Sequence, residues 1–226
     1  MGFTFKNDWW KFLGLALIMY SVIAGFLIKV PDLDMIHQSI RNLFFHVVMW
    51  FSMMVMFIIG VISSIRYLSA FDMKFDRLAA QAVNIGLLFG MLGIVTGMEW
   101  AKFTWGTPWT NDPQLNGAAV TILAYFAYLV LRSSLDEDQK RARIAAVYNI
   151  FAFVLLIVFI GILPRIANNS LHPAAGGNAS TMATLDNSLR IVFYPAIIGW
   201  ILIGCWIIQI RLRLADVRHR LLEMGD

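Results

Sequence analysis

The sequence predicts an all-α integral membrane protein: a six-transmembrane-helix bundle, N-in/C-in, with a tryptophan-rich extracytoplasmic loop. Three observations lead there. Hydrophobic residues make up 59% of the 226 positions and charged residues 14%, whereas a soluble domain carries roughly 25% charged residues. Six stretches approach the roughly 20 apolar residues that a helix needs to cross hydrocarbon. Basic residues gather in alternate connections between those stretches, the pattern of cytoplasmic loops. So few charges cannot cover a water-facing surface, and the even spread of apolar runs gives one membrane domain over residues 1–226.

The spans run roughly Phe12–Val30, Leu43–Ile65, Leu78–Met98, Leu115–Leu131, Ile144–Leu163 and Ile191–Ile210. The first follows Trp10, is too long for a cleavable leader and has no small-residue cleavage site, so it reads as a span. An even number of spans puts both termini on one side. With the termini inside, thirteen of the 18 Lys and Arg residues lie inside (Lys6, Lys11, Arg66, Lys74, Arg77, Arg132, Lys140, Arg141, Arg143, Arg211, Arg213, Arg218, Arg220). Only Lys29, Arg41, Lys102, Arg165 and Arg190 fall outside. The net charge of +4 is therefore a topology signal for a chain partnered by membrane lipid, with no nucleic acid expected. The outside connections are residues 31–42, 99–114 and 164–190, and the tail 211–226 continues a helical pattern on the cytoplasmic side.

What the spans lack narrows the function. No Asp, Glu, Lys or Arg lies mid-span, where ion-coupled transporters and proton pumps need one. No P-loop and no recognisable nucleophile motif occurs, so an enzyme acting alone is not expected. Cys205 is the single cysteine; it forms no internal disulfide and no C-x-x-C pair. Gly86, Gly90, Gly93 and Gly97 give two G-x-x-x-G spacings in the third span. That stripe suits close helix packing, or a smooth face with room for a flat ligand.

The segment from Glu99 to Asp112 holds Trp100, Trp105 and Trp109, three of the eight tryptophans. An interfacial aromatic belt accounts for Trp9, Trp10 and Trp206. It accounts less well for tryptophans interleaved with Gly106, Thr107, Pro108 and Asp112, which shape a fixed turn. A rigid aromatic shelf suits a large, flat, apolar ligand. His46 lies one turn into the second span, with Trp50 four residues on and so on the same face. His172 lies in the third outside connection. Alone, His46 reads as a packing histidine bonded to a neighbouring backbone, and His172 as a solvated residue before Pro173. Together, two imidazoles and a tryptophan shelf face one compartment, and haem iron takes axial histidines from two sides. His37, near Asp32 and Asp34, reads as solvated or as a minor candidate, and His219 as a surface residue among arginines. Met49, Met53, Met54 and Met56 read as adaptable packing. A b-type electron carrier, which stacks haems between histidines near both faces, does not fit a chain with one histidine in its spans.

The pattern Thr96-Gly97-x-x-Trp100-x-Lys102-x-x-Trp105-Gly106-Thr107-x-Trp109-x-x-Asp112-x-x-Leu115 resembles the "WWD" signature of haem-handling proteins in cytochrome c maturation. Arg41…Phe44-x-His46-Val47 and Ser170-Leu171-His172 resemble the two histidine regions of its CcmC (haem exporter protein C) subfamily, and length and span number agree over nearly the whole chain. The larger cytochrome c synthase subunits share the signature but are longer and carry further histidines in their spans. This chain departs from the pattern at Asn111, usually Trp, and at Asn116, usually Thr. The resemblance implies haem b gripped at the outer face of a bacterial inner membrane by His46 and His172 as axial ligands. Trp100, Trp105, Trp109, Gly106 and Asp112 would line it. It implies hand-over to a periplasmic haem chaperone of the CcmE type, with an ATP-binding cassette pair (CcmA and CcmB type) and a small single-span subunit (CcmD type). That is binding and delivery without catalysis. The alternatives are a component of a cytochrome c haem lyase or synthase, and a transporter carrying haem across the bilayer, for which the spans offer no polar route.

Overall fold

A computed structural model describes residues 5–31, 37–167, 170–172 and 185–223. The side chains of His37 and His219, the acidic pair Asp32 and Asp34, and Pro173 with the glycines after it lie outside the described residues. Every regular element among the described residues is helical. In chain order they are α1 (Phe5–Leu27), a 3-10 helix (His37–Phe44), α2 (His46–Ala70), α3 (Met73–Trp105), α4 (Pro113–Ser133) and α5 (Asp138–Leu156). From α5 the chain passes through a π-helical stretch, Ile157–Ile162, into α6 (Leu163–Ile166), and α7 (Asn187–Glu223) closes the order. Among the described residues six helical runs are long and apolar enough to cross a membrane, α5 to α6 counting as one.

The surface supports that reading. Phe12, Leu15, Met19, Ile23 and Phe26 of α1 stand exposed, as do Leu123 and Val130 of α4 at 65% and 67%. Such faces belong in lipid, since soluble monomers rarely leave large apolar patches open. The buried hydroxyls of Ser52, Ser63 and Thr121 each donate to the carbonyl four residues back, which satisfies them where no water is available.

Two boundaries differ from the sequence reading. The third span does not stop near Met98: α3 continues to Trp105 and ends at Gly106, whose φ of +77° is left-handed. Polar residues end an apolar run but not a helix, whereas glycine just past the last turn does. The polar stretch before Leu43 folds as the 3-10 helix. Its Arg41 donates to the Gly25 and Ile28 carbonyls at 2.6 and 2.9 Å, satisfying acceptors that the end of α1 leaves open.

The glycine stripe of α3 is filled by side chains, mostly from α2. A methyl at Gly86 would come within 2.5 Å of Phe57, at Gly93 within 2.9 Å of Trp50, and at Gly97 within 2.6 Å of His46. Gly90 faces Met53 and Ile122 in the same way. Close packing is therefore what the stripe does along α2, and the side chains seated on it leave no room for a flat ligand there. Phe57 is in turn stacked on Tyr125 at 3.6 Å with 3° between the rings. Gly86→Ala is expected to cost about 1–3 kcal/mol by overpacking, read as a lower apparent Tm in detergent; an unchanged Tm would show that the ring pair can shift freely.

At the end of the bundle that holds the start of α3 and the end of α4, Arg132 meets buried Asp76. Its two terminal nitrogens approach the two carboxylate oxygens at 2.5 and 2.8 Å, a bidentate fork. Tyr128 lies under the guanidinium, 5.8 Å from ring centroid to carbon.

Candidate functional site

The opposite end of the bundle gathers the residues singled out from the sequence. His46 opens α2, Trp100 and Trp105 close α3, Asp112 precedes α4, and His172 follows α6.

His46 Nδ1 lies 2.9 Å from the Gly93 carbonyl and 3.3 Å from Thr96 Oγ1. A carbonyl only accepts, so Nδ1 carries the proton and Nε2 keeps its lone pair. The ring rests on Gly97, where no side chain intervenes, and its edge meets Trp50 at 6.2 Å. The bland expectation, a histidine bonded to neighbouring backbone, thus describes one ring nitrogen and leaves the other for a ligand.

His172 sits one helical turn further along α3. Its ring lies 6.3 Å from Trp100 and 5.8 Å from Trp105, edge-on to both. Trp100 and Trp105 meet each other at 5.2 Å and 76°. They form a corner around the imidazole instead of one flat shelf. Trp100 Nε1 donates to Ser39 Oγ at 3.3 Å, and Asn42 donates to the Thr96 carbonyl at 3.3 Å, so the 3-10 helix closes one side. Trp109 is 37% exposed, in a turn where Thr107 Oγ1 donates to the Trp109 carbonyl. Gly106 has open space around it; its service to the site is to end α3 and turn the chain.

His172 Nδ1 is buried without a hydrogen-bond partner. Burial pushes this imidazole below its usual 6.5, with the Asp112 carboxylate pulling it part of the way back. The ring is therefore neutral at pH 7, the state that binds a metal. A neutral buried His172 contributes stability that is complete above 6.5 and is lost as pH falls through its lowered value. The NMR titration of His172 in haem-free protein should accordingly have a midpoint below 6.5; a midpoint above it would mean that Asp112 outweighs burial.

Asp112 is 1% exposed and both its carboxylate oxygens are engaged. Oδ1 accepts from the Gln114 and Leu115 amides at 2.8 and 3.3 Å, and Oδ2 from Ser170 Oγ and the Leu171 amide at 2.8 and 2.7 Å. The two departures from the family pattern also meet: Asn116 Nδ2 donates to Asn111 Oδ1 at 2.7 Å. They replace two positions together and pair with each other, which single-position reading could not show.

Among the described residues no group of three or more His, Cys, Asp or Glu side chains could hold a bare metal ion. Two imidazoles suit instead an iron that already carries four porphyrin nitrogens.

A family model described as cytochrome C assembly protein matches residues 3–172, a stretch that takes in His46, the tryptophan segment and His172. The chain belongs to the cytochrome c assembly family. Two kinds of relative are among the proteins it resembles. The "Heme exporter protein C" of Bradyrhizobium diazoefficiens is 28% identical over 196 residues, 85% of this chain and 71% of the relative. The "Cytochrome c biogenesis protein CcsA" of Prochlorococcus marinus is 34% identical over 89 residues, 39% of this chain and 28% of the relative. A Synechococcus CcsA is 32% identical over 93 residues, 41% and 29% of the two chains. The matched region thus spans under a third of the CcsA proteins, whereas the exporter match runs through most of both chains, as a CcmC-type member of the cytochrome c assembly family requires.

Proposed function

We propose that this chain binds haem b at the outer face of a bacterial inner membrane and presents it to a periplasmic haem chaperone for cytochrome c biogenesis. One observation carries the reading. His46 and His172, far apart in sequence, both come to the last turns of α3: His46 rests on Gly97 and His172 stands edge-on to Trp100 and Trp105. Family membership and the exporter-type relative support it. Haem is cargo here, and its iron supplies the coordination sites. The chain's own residues do the rest: Gly93 fixes the tautomer of His46, burial keeps His172 neutral, and Trp100 and Trp105 hold the His172 ring. The more open Trp109 offers a face to the porphyrin.

The basic-residue distribution supports placing this end of the bundle outside. The same reading assigns the chaperone to the CcmE type, with CcmA-, CcmB- and CcmD-type subunits alongside, and gives the chain delivery without catalysis. Purified protein should show a haem absorption band that His46→Ala combined with His172→Ala abolishes; retention of the full band would overturn the assignment. A haem-lyase component is the second reading, favoured by the CcsA matches. It requires thioether formation on C-x-x-C-H peptides without a separate chaperone.

A further inference from the structure

Resting on the haem-binding reading, we propose that Asp112 and Ser170 form a clasp that positions His172, Ser170 being a positioning residue and Asp112 its anchor instead of a haem contact. Four donors converge on the Asp112 carboxylate: the Gln114 and Leu115 amides at the start of α4, the Ser170 hydroxyl and the Leu171 amide. A carboxylate offers about four lone-pair sites, so this one has none left for a ligand, and at 1% exposure nothing outside reaches it. Ser170 is the relay. Its hydroxyl donates to Asp112 at 2.8 Å and accepts from the His172 amide at 3.2 Å. The backbone of residues 170–172 is thereby bound to the first turn of α4, while the imidazole is fixed from the other side by Trp100 and Trp105. Leu171 between them turns outward, 59% exposed, so its side chain adds little packing to hold the turn.

The clasp suits a carboxylate and no isostere. An Asn at 112 can cap α4 with its oxygen, but its amide would then face the Leu171 amide and the Ser170 hydroxyl, losing the charge-assisted acceptor that both require. The polar partners that orient a metal's histidine typically govern affinity by about 10- to 100-fold. Their loss should therefore appear as weakened His172 ligation, with haem binding through His46 retained.

The test has two arms. In haem-loaded protein, Asp112→Asn and Ser170→Ala should each lower haem affinity by about 10- to 100-fold and shift the spectrum toward that of His172→Ala, with Ser170→Thr restoring both. Adding Asp112→Asn to His172→Ala should do nothing further, whereas adding it to His46→Ala should be additive, the signature of a residue acting through His172. A further loss in the His172→Ala background would overturn the clasp. In haem-free protein, modification of His172 by diethyl pyrocarbonate should speed up several-fold in Asp112→Asn and Ser170→Ala, and not in Ser170→Thr. Unchanged modification rates would overturn the clasp whether or not haem binds. A wild-type protein without any haem band would overturn the haem reading alone.

Discussion

Asp76→Asn and Arg132→Met should each destabilise the protein by about 3–5 kcal/mol, the cost of leaving one member of a buried ion pair uncompensated. Asp76 is 4% exposed on its side chain and Arg132 16%, so the carboxylate is shut off from water and the guanidinium has little access to it. The fork joins the first turn of α3 to the last turn of α4, and these two helices carry the tryptophans and Asp112 at their other ends. Replacing both members with apolar residues, Asp76→Leu with Arg132→Met, should recover most of the loss, because it removes the desolvated charges together. Thermal unfolding in detergent reads both outcomes. Single substitutions that leave the apparent Tm unchanged would show that the pair is solvated in the membrane-embedded protein.

Gly97→Ala should weaken haem binding by about 10- to 100-fold, the range expected when a metal ligand loses its supporting contacts. A methyl there would stand 2.6 Å from His46 Cε1 and 3.1 Å from Nδ1. The ring cannot slide aside, since Nδ1 is held at 2.9 Å by the Gly93 carbonyl on the same face of α3. It must either break that bond, losing the proton placement that leaves Nε2 basic, or swing away from the Trp100 end. Gly86→Ala is the contrast. It crowds Phe57 three turns away and should lower stability with haem affinity intact. Equal effects of the two on haem affinity would show that the glycine stripe acts only through general packing.

The sequence read the lipid-facing design well, because a bilayer imposes length and apolarity on each span separately. Six spans and an all-helical fold follow from counting residues along the chain. What depends on register between helices was hidden. Nothing in the sequence pairs Asp76 with Arg132, or sets His46 against Gly97. The glycine stripe was visible, but which side chains fill it emerges only once α2 and α3 lie together.

The site was legible in kind and less so in detail. Gly106 carried a signal for the end of α3, yet the apolar run stopped earlier and drew the boundary to Met98. Asp112 followed by Pro113 has the form of a helix cap with proline in the first turn, and its tie to Ser170 still required the fold. The sequence suggests a rigid aromatic shelf. Helical geometry instead places Trp100 and Trp105 five residues apart, on diverging faces, and their rings meet at 76°.

The central claim is that His46 and His172 serve one haem. The most direct measurement is the ligation spectrum of haem-loaded protein, by absorption and electron paramagnetic resonance, for the wild type and for each single alanine substitution. The expected result is a six-coordinate bis-imidazole spectrum in the wild type, lost in His46→Ala and in His172→Ala, and restored in each by added imidazole. A ligation spectrum identical in all three proteins would contradict it.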